Sequence, residues 1–149
     1  MMKPNIVRRA RNERGAALLE VALTLPLMLL VAVGIFEFGR AYQTWQVLTN
    51  AAREGARMAV LPGIDDADVT TRVQSYLDSG QLGNAEATVT ITRNNTIPTG
   101  AGSATGSRVV ISYPFEFIVL QPVAQLVVRN STVGRALTMT ASAMMRNES

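Results

Sequence analysis

The chain has 149 residues, enough for one membrane segment and one small domain but not for two full domains. It has neither cysteine nor histidine, which excludes disulfides, the usual Cys/His zinc sites, thiol nucleophiles and histidine-based triads. The net charge of +3 is uneven, because five of fourteen basic and one of eleven acidic residues fall in residues 1–15, leaving nine basic and ten acidic residues elsewhere. Without a basic, aromatic-interleaved patch in that remainder, no nucleic-acid partner is expected.

In chain order, residues 1–15 read as a polar leader, with Lys3, Arg8, Arg9, Arg11 and Arg14 on the N-terminal side of an apolar run. A basic flank of this kind holds the N-terminus of a membrane segment in the cytoplasm. From Ala16 to Phe36 the chain has 21 residues, and Glu20 is the only ionisable one. As a helix this run spans roughly 30 Å, about the thickness of a bilayer's hydrocarbon core. A carboxylate in such a segment costs on the order of 3 kcal/mol, which makes Glu20 the residue to explain. It stands either at a hydrated membrane boundary or in a functional role. Pro26, within the run, is expected to kink a membrane helix and not to break it.

Helical signals continue to Leu61, where Pro62-Gly63 stops them. Phe38, Ala41, Trp45, Leu48, Ala52, Gly55 and Ala59 recur at alternating spacings of three and four, which predicts a stripe facing a core. The small residues at its end allow another element to approach the helix backbone closely. A second helix is predicted over Asp66 to Ser79, with an Asp cap, an apolar face of Val69, Val73, Tyr76 and Leu77, and Gly80 at its close. Acids in this region, Asp65, Asp66 and Asp68, read as capping and surface charge and not as a calcium cage.

Three strands are then predicted from alternation: around Ala87, Val89 and Ile91, over Arg108 to Tyr113, and around Leu137, Met139, Ala141 and Ala143. Asn94 to Ser107, with three Gly and Pro98, reads as a loop. Phe115 to Val128 is apolar but broken by Glu116, Gln121, Pro122 and Gln125, too short to span a bilayer; it is either local core or a surface for a neighbour. The expected architecture is α+β. A long N-terminal transmembrane and amphipathic helix packs on a head with a short helix and a three- or four-stranded antiparallel sheet. The divisions are a leader at 1–15, a transmembrane part at 16–38, and an extracytoplasmic head at 39–149. With no clustered carboxylates in a glycine-framed loop, no catalytic residue, metal or cofactor is expected.

Several segments together resemble the TadE-like pseudopilins of tight-adherence (Flp-type) pilus systems. Arg14-Gly15-Ala16-Ala17-Leu18-Leu19-Glu20 is similar to the family's processing motif and Leu25-Pro26-Leu27 to its apolar core. Gly34-Ile35-Phe36-Glu37-Phe38-Gly39-Arg40 and Asn50-Ala51-Ala52-Arg53-Glu54-Gly55-Ala56-Arg57 continue the resemblance, with shorter matches at Ser112-Tyr113-Pro114-Phe115 and Thr138-Met139-Thr140-Ala141. Val21 departs from the Phe that follows the acid in many type IV pilin-like signals. The resemblance implies a pilin-like head and cleavage by a prepilin peptidase between Gly15 and Ala16. It implies a single-pass inner-membrane protein, N-in/C-out until assembly and then in the pilus or at the cell surface. Its partners would be the lipid bilayer, the major pilin, a partner minor pseudopilin and inner-membrane platform proteins. Its work would be pilus initiation, assembly and adhesion, with Glu20 acting in assembly. The alternative is an unprocessed, single-span, membrane-tethered binding module of the cell envelope.

Overall fold

A computed structural model describes residues 6–83, 86–100, 102–127, 129–130 and 132–147. Of the basic leader, residues 1–5 and the side chains up to Arg14 lie outside the described residues. The elements in chain order are α1 (Ile6–Ala59), α2 (Asp66–Ser79), β1 (Thr88–Thr99), β2 (Gly102–Phe115), α3 (Leu120–Val127) and β3 (Leu137–Arg146). The arrangement is α+β, as the sequence predicts.

α1 is longer than expected: it starts at Ile6, so Gly15 lies inside the helix and not ahead of it. No proline follows Pro4 until Pro26, and one interior glycine costs a helix only about 1 kcal/mol, which does not stop it. The helix also runs through Pro26 to Ala59. It is the described helix long and apolar enough to cross a membrane; its most apolar window has a mean hydropathy of 2.4 and no buried residue. Such a window is compatible with a single-pass membrane anchor.

The three strands form an antiparallel meander in the order β1-β2-β3. Alternation sorts the faces. Val89, Ile111 and Ala141 stand in register on the inner face, with Ile91, Val109 and Ala143 beside them. Thr88, Thr90 and Thr92 stand opposite on the open face. α1 and α2 cover the inner face, and the core joins Leu48, Ala51, Ala52, Ala56 and Ala59 of α1 to Val69, Val73 and Leu77 of α2 and to the sheet. α2 matches its sequence reading closely, with the Asp65 carboxylate accepting from the Asp68 N–H at 2.8 Å. Tyr76, expected on its apolar face, is instead about one-third exposed at the edge. The reason for Gly80 also differs: its φ of −83° is open to any residue, but a Cβ there would lie 2.5 Å from Val47 Cγ1.

One sequence expectation is corrected and one open segment gains a structure. Asn94 to Ser107 is not a loop: β1 and β2 pair on to Thr99 and Gly102, so the segment belongs to the outer half of a long hairpin that runs past the end of β3. Turn-type composition misleads here because β1 is an edge strand, where Pro98 is tolerated opposite Ser103. Phe115 to Val128 contains α3, whose Pro122 falls in the first helical turn, where a missing N–H costs no hydrogen bond.

Candidate functional site

Along the packed half of α1 the buried positions are Glu37, Thr44, Leu48, Ala51, Ala52, Gly55, Ala56 and Ala59. The predicted stripe positions are buried from Leu48 onward and lie outside the core at Phe38 and Trp45. Phe38 and Trp45, expected to face the core, are 69% and 47% exposed. Glu37, Ala41, Thr44 and Leu48 obey the same three-and-four spacing as Phe38, Ala41, Trp45 and Leu48. Spacing alone does not choose between the two series, and apolarity chose the wrong one. Glu37 takes an inward position where its carboxylate finds partners, and Thr44 is buried on the same face; among the described residues no buried side-chain N or O lacks a partner.

Glu37 is fully buried and sits where the apolar run meets the head. Its Oε1 accepts the N–H of Val119 and, at 3.3 Å, the N–H of Leu120, which open the first turn of α3. Its Oε2 pairs with Arg40 Nη1 at 3.0 Å. The carboxylate thus answers both the unpaired amides and the positive end of a helix dipole. Arg40 lies over the Phe115 ring at 5.2 Å and reaches the Glu116 carbonyl at 3.5 Å. Phe115 meets Phe117 edge-on at 5.2 Å. One acid–base pair on α1 therefore fixes the end of β2 and the start of α3 against the last turn of the apolar helix.

A converse clamp closes the far end of α1. Arg93, in the irregular stretch of β1, donates to the Ala59 carbonyl at 2.8 Å and the Ile64 carbonyl at 3.0 Å, and pairs with Asp66 at 2.6 Å. A cation at a helix C-terminus is the favourable sign. Neither clamp was found from the sequence. The available signal was a carboxylate directly after a membrane-length apolar run with Arg three residues on.

At Gly55 the helix comes closest to the head: a Cβ there would lie 2.6 Å from Val73 Cγ2 and 3.2 Å from Val109 Cγ1. Gly15, Ala16, Glu20 and Pro26 lie well away, on the exposed apolar half, and are not brought together with the head. Thr24 Oγ1 donates to the Glu20 carbonyl at 2.9 Å. On the sheet's inner face, burial and the Glu86 carboxylate push the Tyr113 phenol above the usual tyrosine range, so it stays protonated at neutral pH. Among the described residues, no group of three or more acidic side chains is placed to hold a metal ion.

No curated protein and no solved structure matches the chain. A family model described as TadE-like protein matches residues 15–57, a range that takes in Gly15, Glu20, Pro26, the Glu37–Arg40 pair and the stripe through Gly55. The TadE-like family is associated with Tad pilus systems. The similarity to the TadE-like family therefore covers the greater part of α1.

Proposed function

We propose that this protein is a minor pseudopilin of a Tad (Flp-type) pilus assembly system, working in pilus initiation, assembly and adhesion. The observation that carries the reading is that the TadE-like match falls on one continuous helix, bare and apolar in its first half and packed on a head in its second. A helix built that way serves two settings in turn, a bilayer and a bundle of neighbouring helices. The five basic residues of the leader favour an inner-membrane, N-in/C-out orientation. The partners in this reading are the prepilin peptidase, the major pilin, a second minor pseudopilin and the platform proteins.

Processing removes residues 1–15 and leaves Ala16 at the N-terminus. Gly15 is helical, and a peptidase needs its backbone extended; glycine is where a helix opens at least cost. N-terminal sequencing of the protein recovered from membranes tests the reading. A start at Ala16 is expected, whereas Met1 or Met2 marks the unprocessed tether and a start near Tyr42 a secreted protein. A Gly15→Leu variant should stay uncut, and normal cleavage of that variant in an intact-mass measurement overturns the processing step.

A further inference from the structure

Phe115 of β2 and Leu137 of β3 face each other in register, and the chain between them leaves the sheet. Residues 116–136 of this excursion hold Arg129 and Arg135 and one acidic residue, Glu116. Ile118 is 59% exposed, and Val123 of α3 is 39% exposed. Large apolar side chains are thus presented to the surroundings, with one exposed carboxylate, Glu116, at the start of the excursion.

The depth of this excursion is fixed by the hydrogen bonds of Val119 and Leu120 to Glu37, the residue directly after the apolar run. Every described side chain from Gly15 to Phe36 is exposed except Val33 and Gly34, which are half-buried. Val33 lies on the same helix face as Glu37, about 6 Å nearer the N-terminus along the axis. α3 touches α1, so it lies beside the last turn of the apolar helix and not up among the strands.

We infer that residues 117–127, with α3 at their centre, form an interfacial foot that enters the lipid headgroup layer on the head's side of the membrane. The inference rests on the membrane-anchor part of the proposed function. A bilayer that accepts Ala16–Phe36 as its roughly 30 Å core segment places its boundary at Phe36–Glu37. Its headgroups then meet α3 by covalent continuity, with no separate docking event. The chemistry suits that layer: short apolar helices lie at the acyl boundary, and arginines suit phosphate oxygens. Of the two acids near that depth, Glu37 is neutralised internally by Arg40 and two amides, while Glu116 is exposed and stays in the aqueous part of the layer. The foot sets the height and tilt of the head above the bilayer.

The chain has no cysteine, so single labels are easily placed. Leu25→Cys, Ile118→Cys, Val123→Cys and Thr90→Cys variants of the full chain are spin-labelled and reconstituted at high lipid dilution in phosphatidylethanolamine–phosphatidylglycerol vesicles. Collisional accessibility to oxygen is compared with that to a water-soluble nickel chelate. Leu25 should report the hydrocarbon interior, Thr90 on the open sheet face should report water, and Ile118 and Val123 should give an oxygen-to-nickel ratio several-fold above Thr90. Ile118 and Val123 matching Thr90 while Leu25 is deep overturns the foot and leaves the anchor standing. Leu25 in water overturns the anchor and the foot together. Low access to both reagents that disappears on further lipid dilution overturns the foot in favour of a second protein chain on this surface.

Discussion

Ala16–Phe36 and Glu37–Ala59 are continuous turns of one helix, yet they meet opposite surroundings. The first half is apolar and none of its side chains is buried; the second half buries a carboxylate and a threonine along with Leu48 and a run of alanines. Apolarity therefore does not report burial in this chain. In the first half it matches a solvent that the isolated chain lacks. In the second it is the phase of a residue toward the sheet and α2 that decides. Once two backbone amides and a guanidinium converge on Glu37, a carboxylate is as well placed there as a leucine.

The sharpest way to break the comparison is to put the same bulk into both halves and watch the head unfold thermally in detergent micelles. Gly55→Leu drives a side chain into Val73 and Val109, and overpacking of this kind costs on the order of 1–3 kcal/mol, more where a helix must move. Gly34→Leu, in the apolar half, meets nothing within 4 Å at its Cβ and should leave the melting temperature unchanged. Equal effects would mean that the stripe does not pack on the head.

Glu37→Ala comes next. It strips the acceptor from two part-buried amides and leaves Arg40 without its acid, a loss of about 2–3 kcal/mol, counting the part-exposed Arg40 lightly. Glu37→Gln keeps an acceptor for the amides and should recover about half of that. Hydrogen exchange at Val119 and Leu120 separates the two variants, because fast exchange should be confined to the alanine one. Protected amides in Glu37→Ala would show that α3 is held by packing alone.

How far the sequence reveals this structure depends on whether local chemistry and tertiary partner agree. In α2 they agree: Asp65 caps locally, and Val69, Val73 and Leu77 recur at helical spacing and are all fully buried. The alternation of Val89 and Ile91 likewise predicts an inward face. Where the partner decides, local reading fails. Phe38 and Glu37 differ by one residue in phase, and only α3, more than eighty residues away in the chain, selects Glu37. The hairpin arm at Asn94 to Ser107 has the composition of a loop, and it is cross-strand pairing that extends it. Gly15, Glu20 and Pro26 were legible as unusual residues in an apolar run; in the proposed function their chemistry involves a membrane and other chains, and the fold leaves them apart from the head.

Arg93→Ala tests the clamp at the opposite end of α1 and should cost less, about 1 kcal/mol. Its side chain is about one-third exposed, so water replaces part of what is lost at the Ala59 and Ile64 carbonyls. The melting temperature should fall modestly, and Asp66→Asn should reproduce only part of the shift. A loss as large as that of Glu37→Ala would make this clamp, and not the one at the membrane boundary, the main lock between helix and head.

Glu20→Ala should have the smallest effect on the head, none within the precision of a melt, because Glu20 is exposed and lies more than three turns before the last turn of the apolar half, where α3 approaches. In the proposed function its effect belongs to assembly. Cleavage after Gly15 would create an ammonium at Ala16, one helical turn from the Glu20 carboxylate. In water that pair is worth little, but within a bundle of apolar helices each unpaired charge costs several kcal/mol. The new amine therefore needs a carboxylate, from its own chain or from a neighbour's, whereas insertion and cleavage need none. Glu20→Ala should insert, be cut to begin at Ala16 and melt normally, yet fail to co-purify from membranes with the major pilin or the second pseudopilin. Recovery of those partners at wild-type level would leave Glu20 a hydrated boundary residue and remove charge pairing from the assembly mechanism. A lowered melting temperature would instead show that the apolar half of α1 touches the head near Glu20, and the contrast between the two halves would fail.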